Sequence, residues 1–219
     1  MDKAIILISG GMDSCITAAV AKKRGHELYF IHINYGQLTE KRELKAYNDI
    51  ADYYNVKDRL VVDVSHLTQI GGSCLTDPLI DVPIKNLESK EIPISYVPFR
   101  NANILSIATS WAEVLSAKFI YIGAVEEDSS GYPDCRRSFF NAFENTIKEG
   151  TKPQTDIKII TPLIELSKKE IILLGKQLNA PINLSWSCYK NEDIPCMECD
   201  SCGLRSRGFR EANLSDPIL

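Results

Sequence analysis

Several features that mark other classes of protein are missing from this sequence. No apolar run reaches the roughly 20 residues that a transmembrane helix needs. The first eight residues are too short and wrongly flanked for a signal peptide. Basic residues do not outnumber acidic ones, because the formal net charge is −4. We therefore expect a cytoplasmic protein that neither enters a membrane nor binds nucleic acid, whose phosphates require a basic face.

The sequence also lacks internal repeats, low-complexity tracts and linkers. Its 219 residues, of which 44% are hydrophobic and 25% charged, suit one globular domain with a small appendage. A chain of this length buries roughly 70% of its unfolded surface, so the core needs no disulfides. The seven cysteines are therefore expected to be thiols or metal ligands.

Short apolar runs alternate with amphipathic patterns along the chain. The runs predict five strands, at 3–8, 27–33, 59–64, 118–125 and 158–160. The helical patterns lie at 16–23, 38–54, 101–117, 138–148 and 168–178. This alternation predicts an α/β fold, doubly wound around a mainly parallel five-stranded sheet.

Two stretches fall outside that alternation. Residues 65–98 have no clear period and hold four prolines, so we expect an irregular insertion near the site. Residues 185–219 are rich in cysteine. We divide the chain into a main domain, 1–184, and a small C-terminal zinc-binding subdomain, 185–219.

A glycine loop, SGGMDS, joins the first predicted strand to the first helix. Glycines let the backbone approach an anion closely, and the unpaired amides that open a helix attract phosphate. Asp13 could cap the helix or help hold Mg²⁺. The alternative is a simple turn capped by Asp13. The candidate nucleotide-binding residues are Ile8, Ser9, Gly10, Gly11, Met12, Asp13 and Ser14.

The loop lacks the lysine and spacing of a Walker A motif and does not match GxGxxG. It resembles the PP-loop of the ATP pyrophosphatase superfamily. That resemblance implies an adenine nucleotide alpha hydrolase-like (HUP) fold in which the loop holds the pyrophosphate end of ATP. A substrate atom then attacks the α-phosphorus, so the reaction is adenylation.

Four cysteines lie close together near the end of the chain, with the spacing C-x₇-C-x₂-C-x₂-C: Cys188, Cys196, Cys199 and Cys202. Such spacing suits a four-thiolate zinc site with no open position, which is structural. Reduced buried thiols, redox chemistry through Cys196 and Cys199, and a zinc ribbon that binds nucleic acid are the alternatives. Cys15 and Cys74 are expected to be core or loop thiols.

Three further strings fall where strand ends meet the loop. Arg100 offers a planar fork for a carboxylate or phosphate, and Asn101 is a candidate N-cap. Lys168 opens a helix, where a cation is not favoured by the dipole, and this suggests an anionic partner such as ATP phosphate. The string after the fourth strand supplies carboxylates for a purine-like edge, a tyrosine for stacking and an arginine: Asp128, Tyr132, Asp134 and Arg136.

The ordered strings SGGMDS, VPFRN, SSGYPDCR, TPLIELSKKE and the cysteine cluster cover nearly the whole chain. Together they resemble the 7-cyano-7-deazaguanine synthase family of queuosine and archaeosine biosynthesis. The chain departs from the family pattern at Ser129, where many members carry a tyrosine.

This resemblance implies a substrate, 7-carboxy-7-deazaguanine, which ATP activates as an acyl-adenylate and ammonia converts to the amide. A second ATP then activates the amide oxygen, and loss of AMP leaves the nitrile. Arg100 and Lys168 would act with Mg²⁺, which Asp13 would help to hold, to offset negative charge. Arg100, Asn101 and the 128–136 string would bind substrate. The resemblance also suggests a homodimer.

Three alternatives stay open on the sequence. One is a relative that stops at the amide or joins the acid to a protein amine. Another is a tRNA thiolase with a PP-loop, which would need a reactive cysteine pair and a basic face. The third is a zinc-binding interaction module without catalytic activity, which leaves the glycine loop unexplained.

Overall fold

A computed structural model describes residues 1–89, 91–126 and 131–219. In that part of the chain, five strands form one sheet in the order β3-β2-β1-β4-β5, and every neighbouring pair is parallel. The strands are β1 Lys3–Leu7, β2 Glu27–Asn34, β3 Arg59–Asp63, β4 Phe119–Tyr121 and β5 Lys158–Ile160. The predicted doubly wound parallel sheet is confirmed.

Seven α-helices lie among the described residues. They are α1 Met12–Lys23, α2 Glu40–Tyr53, α3 Leu67–Ile70, α4 Arg100–Leu115, α5 Arg137–Gly150, α6 Lys168–Gln177 and α7 Asp200–Glu211. No helix there is both long and apolar enough to cross a membrane.

The central strand β1 explains why helices cover both faces of the sheet. Ala4 and Ile6 pack into the core under α1 and α2, whereas Ile5 and Leu7 pack into the core under α4 and α5. Alternate residues of a strand point to opposite faces, so an uninterrupted apolar run must be buried on both. From β1 the sheet extends in one direction through β2 to β3, and from β4 it extends in the opposite direction to β5. Between β1 and β4, at this switch in direction, the carboxyl ends of the strands form a crevice where ligands bind.

The residue at which each helix starts depends on local hydrogen bonds and backbone angles, which the periodicity of apolar residues in the sequence does not reveal. Helix α6 begins with a capping box, of which the string Ser-x-x-Glu at 167–170 is typical: Ser167 accepts the N–H of Glu170, and the Glu170 side chain accepts that of Ser167. The predicted cap at Asn101 is wrong. Helix α4 begins one residue earlier, at Arg100, and Phe99 precedes it with a left-handed φ of 57°.

The fourth strand is shorter than predicted, since it ends at Tyr121 rather than at residue 125. Beyond it the backbone turns toward the glycine loop. A Cβ on Gly123 would lie 2.9 Å from the backbone of Asp13 and Ser14, so the two segments meet at a position that only glycine allows. Leaving the sheet early brings the β4 end against the loop.

In the described part of the predicted insertion, 65–89 and 91–98, the short helix α3 is followed by turns and irregular backbone. Its middle lies against the cysteine-rich segment. The Lys85 amide donates to the carbonyl of Glu198 at 2.7 Å, and the Asn86 amide donates to Asp200 at 2.9 Å. Helix α7 of the cysteine-rich segment packs closely on α6, where Gly208 faces Lys168 and Ile172.

Candidate active site

The glycine loop is held in a conformation that depends on Gly10. This residue has a φ of 88°, and a Cβ there would lie 2.5 Å from the carbonyl oxygen of Glu43 on α2. Gly11 is the N-cap of α1, and its amide donates to Ser9 Oγ. Ser14 Oγ donates to the Gly11 carbonyl at 2.9 Å. Ser9 Oγ in turn donates to Ser14 Oγ at 3.2 Å. The two hydroxyls thus lie together at the open end of α1, a position that suits a phosphate.

A cavity of about 270 Å³ opens at the carboxyl ends of the strands, beside this loop. It brings together most of the predicted nucleotide, catalytic and substrate-binding residues: Ile8, Ser9, Gly11, Met12, Asp13, Ser14, Arg100, Asn101, Tyr132 and Lys168. Gly10, Asp134 and Arg136 are not among the lining residues. Gly10 shapes the loop from behind, and Arg136 is exposed just before α5. Asp128 and Ser129 lie outside the described residues.

Asp13 and Lys168 form an ion pair across the cavity wall. The Lys168 ammonium lies 2.7 Å from Asp13 Oδ2, and its side chain is only 9% exposed. The alternative in which Asp13 caps α1 is wrong, since Gly11 occupies that position. The other oxygen of Asp13, Oδ1, is buried and has no partner among the described residues. Carboxylate oxygens are the ligands that Mg²⁺ prefers, so Asp13 could hold this ion.

The Arg100 guanidinium enters the cavity from the first turn of α4. It lies 5.3 Å from the ring centre of Tyr35 and donates to the Tyr35 hydroxyl at 3.3 Å. Its Nε is buried and has no hydrogen-bond partner in the described part of the chain. A guanidinium supported mainly by a neutral phenol keeps donors available for an anion.

Asn101 and Asp134 bind each other. Asp134 Oδ2 accepts the Asn101 amide at 2.9 Å, and Asn101 Nδ2 donates to the Asp134 carbonyl and to Cys135 Sγ. Asp134 therefore satisfies an amide at the start of α4, a role that the sequence had suggested for Asn101. Burial raises the pKa of the Asp134 carboxyl, although its hydrogen bond with Asn101 acts against this.

Tyr132 is buried against the end of the predicted insertion, 65–98. Its hydroxyl shares a 2.7 Å hydrogen bond with Ser95 Oγ, and its ring centre lies 5.6 Å from that of Tyr96. The predicted insertion thus contributes Ser95 and Tyr96 to the support of the cavity. One part of the Tyr132 ring remains available to line it.

The four clustered cysteines converge on one point, with all sulfurs within 4.8 Å of one another. Cys196 Sγ and Cys202 Sγ are 4.0 Å apart, close to the edge of about 3.8 Å of a tetrahedron with Zn–S bonds near 2.3 Å. Three backbone amides, those of Lys190, Asn191 and Cys196, point at Cys188 Sγ at 3.3–3.4 Å. Such amides stabilise a thiolate, so the donor set fits a metal ion.

The remaining cysteines, Cys15, Cys74 and Cys135, are buried in the core as thiols. Burial raises the pKa of Cys15 to about 12, so this thiol is not ionised at neutral pH.

Comparison with known proteins identifies the family to which this chain belongs. A family profile described as "Queuosine biosynthesis protein QueC" matches residues 3–213, which is nearly the whole chain. The chain belongs to the QueC family. Among its relatives, the 7-cyano-7-deazaguanine synthase of Chloroherpeton thalassium is 57% identical over 216 residues, covering 99% of this chain and 96% of that protein. The synthase of that name from Nautilia profundicola is 51% identical over 218 residues, covering 100% and 98%.

A solved structure, that of NMN synthetase from Francisella tularensis, matches 98% of this QueC-family chain and 88% of its own chain. The TM-score is 0.51 and the sequence identity 13%, so the likeness concerns the fold alone.

Tyr35 and Glu43 are polar side chains that line the cavity of this QueC-family chain and were not predicted from its sequence. Glu43 accepts hydrogen bonds from Thr39 and Gln37 at 2.8 and 3.1 Å. Burial raises the pKa of Glu43 to about 7, although these two hydrogen bonds act in the opposite direction. In the sequence, Glu43 resembles the other charged residues on the solvent-facing side of an amphipathic helix. It differs from them only in that its side chain points into the cavity.

The cysteine-rich segment forms a wall of the cavity, which was also missed. Trp186, Tyr189 and Arg205 line it. The Arg205 guanidinium is held by both oxygens of Asp216 at 2.7 and 2.8 Å and by the hydroxyls of Ser185 and Ser187. This buried pair fixes the end of the chain against the site. The tryptophan beside the first clustered cysteine was the available clue.

Proposed function

We propose that this chain converts 7-carboxy-7-deazaguanine and ammonia to 7-cyano-7-deazaguanine, with two molecules of ATP converted to AMP and pyrophosphate. The observation that carries this proposal is the shared cavity, in which an anion-binding loop and the Arg100 guanidinium face the same space. Membership of the QueC family and relatives named 7-cyano-7-deazaguanine synthase support it.

In the first half-reaction, the substrate carboxylate attacks the α-phosphorus of ATP. A P–O bond forms to the carboxylate, the bond to pyrophosphate breaks, and pyrophosphate leaves with the electron pair. Ser9, Gly11 and Ser14 bind the leaving pyrophosphate, and Arg100 aligns the incoming carboxylate. Both reactants are anions, so orientation and charge screening are the main contributions of the protein.

Ammonia then attacks the acyl carbon and AMP leaves, which gives the amide after loss of a proton. In the second half-reaction the amide oxygen attacks the α-phosphorus of another ATP. Loss of AMP and two protons from the resulting intermediate forms the carbon–nitrogen triple bond. The same loop serves both adenylations, since the leaving group is pyrophosphate each time.

We assign the metal ions by ligand chemistry. Asp13 Oδ1 would hold Mg²⁺, which screens phosphate charge when bound, while Lys168 stays paired with the other oxygen. The four clustered cysteines would hold structural Zn²⁺, because four thiolates leave no position for substrate.

Substrate contacts are proposed for Arg100, Asn101 and Tyr132, which line the cavity. Asp134 would position the start of α4, and Asp128 remains a prediction for the purine-like edge. Arg136 would need to swing inward to reach substrate. We further propose a cytoplasmic homodimer, to be checked by light scattering of the purified protein.

The decisive experiment is product analysis by mass spectrometry after incubation with the acid, ATP, Mg²⁺ and ammonium. Nitrile, with two AMP per product, is the expected result. Amide alone in excess ATP would identify the shorter reaction, and a conjugate on a protein amine would identify a ligase. Omitting ATP provides the control, and Arg100→Gln should stop the first adenylation.

A further inference from the structure

Trp186 connects the cysteine cluster to the glycine loop. Its backbone amide donates to the Gly10 carbonyl at 2.8 Å, directly behind the phosphate-facing turn. Its own carbonyl lies 3.7 Å from the position of a Cβ on Gly11. The segment that leads into the cysteine cluster is therefore packed against the loop along its backbone.

The indole of Trp186 continues the connection in the other direction. Its Nε1 donates to the Asn191 carbonyl at 3.0 Å, and the Asn191 amide donates to Cys188 Sγ at 3.3 Å. Three consecutive hydrogen bonds thus run from a sulfur of the cluster to the backbone of Gly10. Each is short enough that a shift at one end must be met by a shift at the other.

Helix α2 holds the indole in place from its other side. The Arg42 guanidinium lies 4.4 Å from the ring centre of Trp186, within the range of a cation–π contact. The same helix presents the Glu43 carbonyl and the Ala46 methyl to Gly10. Trp186 is 4% exposed, so it fills the space between α2, the loop and the 188–191 turn.

The order of the 188–191 turn depends on the sulfur cluster. The amides at Lys190, Asn191 and Cys196 all point at Cys188 Sγ, an arrangement that a metal-bound thiolate stabilises. Without a cation, sulfurs within 4.8 Å of one another would repel as thiolates. Loss of the ion would release the turn, the indole and then the Gly10 carbonyl.

We infer that Trp186 is a positioning residue that transmits the order of the metal-bound cysteine cluster to the nucleotide loop, so that tight ATP binding requires the loaded cluster. The inference rests on the proposed function only in taking ATP as the ligand of the loop. It gives the cluster a role in the affinity of the active site, beyond holding the end of the chain together.

The chain contains two tryptophans, Trp111 and Trp186, so replacing Trp111 leaves the fluorescence of Trp186 as a reporter of its surroundings. Trp111 lies on α4 and packs edge-on against Tyr29, on the opposite face of the sheet from α1 and α2. In a Trp111→Phe background, emission reports Trp186 alone. Removal of zinc with a chelator selective for zinc over Mg²⁺ should shift this emission to longer wavelength, and one equivalent of zinc should restore it.

Affinity is measured in the same samples with α,β-methylene-ATP and excess Mg²⁺ by calorimetry. We expect the Kd to rise at least about tenfold on zinc removal and to recover with zinc. Trp186→Ala, with one zinc per chain retained, should show a similarly weakened Kd that no longer depends on zinc. Trp186→Phe keeps an aromatic ring beside Arg42 but removes the Nε1 donor, so it should lose less than Trp186→Ala, while Trp111→Phe should match the unmodified chain.

An unchanged Kd in the zinc-free protein, or in zinc-loaded Trp186→Ala, would overturn the inference even if the unmodified chain forms nitrile. Conversely, zinc-dependent binding of the analogue would support it even if the product proved to be the amide. Far-ultraviolet circular dichroism of each sample separates a local change from unfolding, because the sheet and α1–α6 should keep their signal.

Discussion

The two ends of the cavity are built in different ways. At one end, the proposed nucleotide loop consists of seven consecutive residues, 8–14, whose own backbone would form most of the anion site. At the other end, Arg100 is surrounded by side chains from distant parts of the chain, including Tyr35, Glu43 and Tyr132. A site built from consecutive residues tolerates few substitutions within that segment. A site built from distant segments can be altered by substitutions in one segment at a time.

The largest effect is expected from Gly10→Ala at the contiguous end. The new methyl would meet the Glu43 carbonyl oxygen and the residue would keep a positive φ, so the loop must move. A displacement of about 1 Å at a reacting group costs on the order of 100-fold in rate, and we expect at least about that loss in ATP-dependent turnover.

Gly25→Ala is the matched control for this change. Gly25 has a φ of 79°, close to that of Gly10, but a Cβ there meets nothing within 4 Å. It should cost only the conformational strain, about 1–2 kcal/mol in the free energy of unfolding, with turnover per folded molecule unchanged. Equal losses of turnover in the two variants would contradict the role given to the loop.

At the dispersed end, Arg100→Lys should lower kcat/KM for the acid by about 100-fold. Lysine keeps the charge but cannot offer two parallel N–H donors to a carboxylate. The effect should fall on the acid and spare the Kd of the ATP analogue. Arg136→Gln, an exposed arginine outside the cavity, serves as the control and should remain within about twofold. A strong loss in that variant would show that the arginine swings inward.

An intermediate effect is expected for the ion pair between Asp13 of the loop and Lys168 of α6. Asp13→Asn leaves the buried Lys168 ammonium without its carboxylate, and Lys168→Gln leaves Asp13 alone. A double-mutant cycle on the free energy of unfolding should give a coupling of about 1–2 kcal/mol. The Mg²⁺ concentration needed for half-maximal turnover should rise in Asp13→Asn and stay nearly constant in Lys168→Gln. Equal shifts would argue against Asp13 as the magnesium ligand.

Glu43 should make the free energy of unfolding depend on pH. Its folded-state pKa is raised from 4.5 to about 7 by burial, so the native state retains a proton that the unfolded chain releases. The stabilisation is therefore complete below pH 4.5 and is lost as the pH rises through 7. The loss should amount to roughly 3 kcal/mol.

Glu43→Gln should remove that pH dependence while keeping a group of similar shape. Urea unfolding at pH 5 and pH 8 measures the difference in both proteins. Glu165→Gln is a suitable control, since the side chain of Glu165 is 81% exposed. A slope that persists in Glu43→Gln would mean that another buried carboxyl, such as Asp134, carries it.

Much of this architecture could be predicted because it depends on neighbours in sequence. The β1 run, the SGGMDS loop after it and the Ser167–Glu170 capping box are all set by residues a few positions apart. The cysteine cluster was readable for the same reason, since its spacing alone restricts the sulfurs to one small volume.

The rest could not be predicted because it depends on which direction a side chain takes in space. Asp134 rather than Asn101 satisfies the start of α4, since a chain segment 33 residues away folds back onto it. Lys168 was expected to await a phosphate, and its observed partner is Asp13, on the opposite side of the cavity wall. Periodicity cannot assign such partners, as it describes one element at a time.

The wall formed by Trp186, Tyr189 and Arg205 has a consequence for synthesis on the ribosome. The nucleotide loop leaves the exit tunnel well before the wall that completes its cavity, because Ser14 and Trp186 are 172 positions apart in the chain. A nascent chain can form β1 and α1 early, yet it should bind no nucleotide tightly until the wall has also emerged. Incomplete chains released by stalled ribosomes would therefore hydrolyse no ATP in the cell.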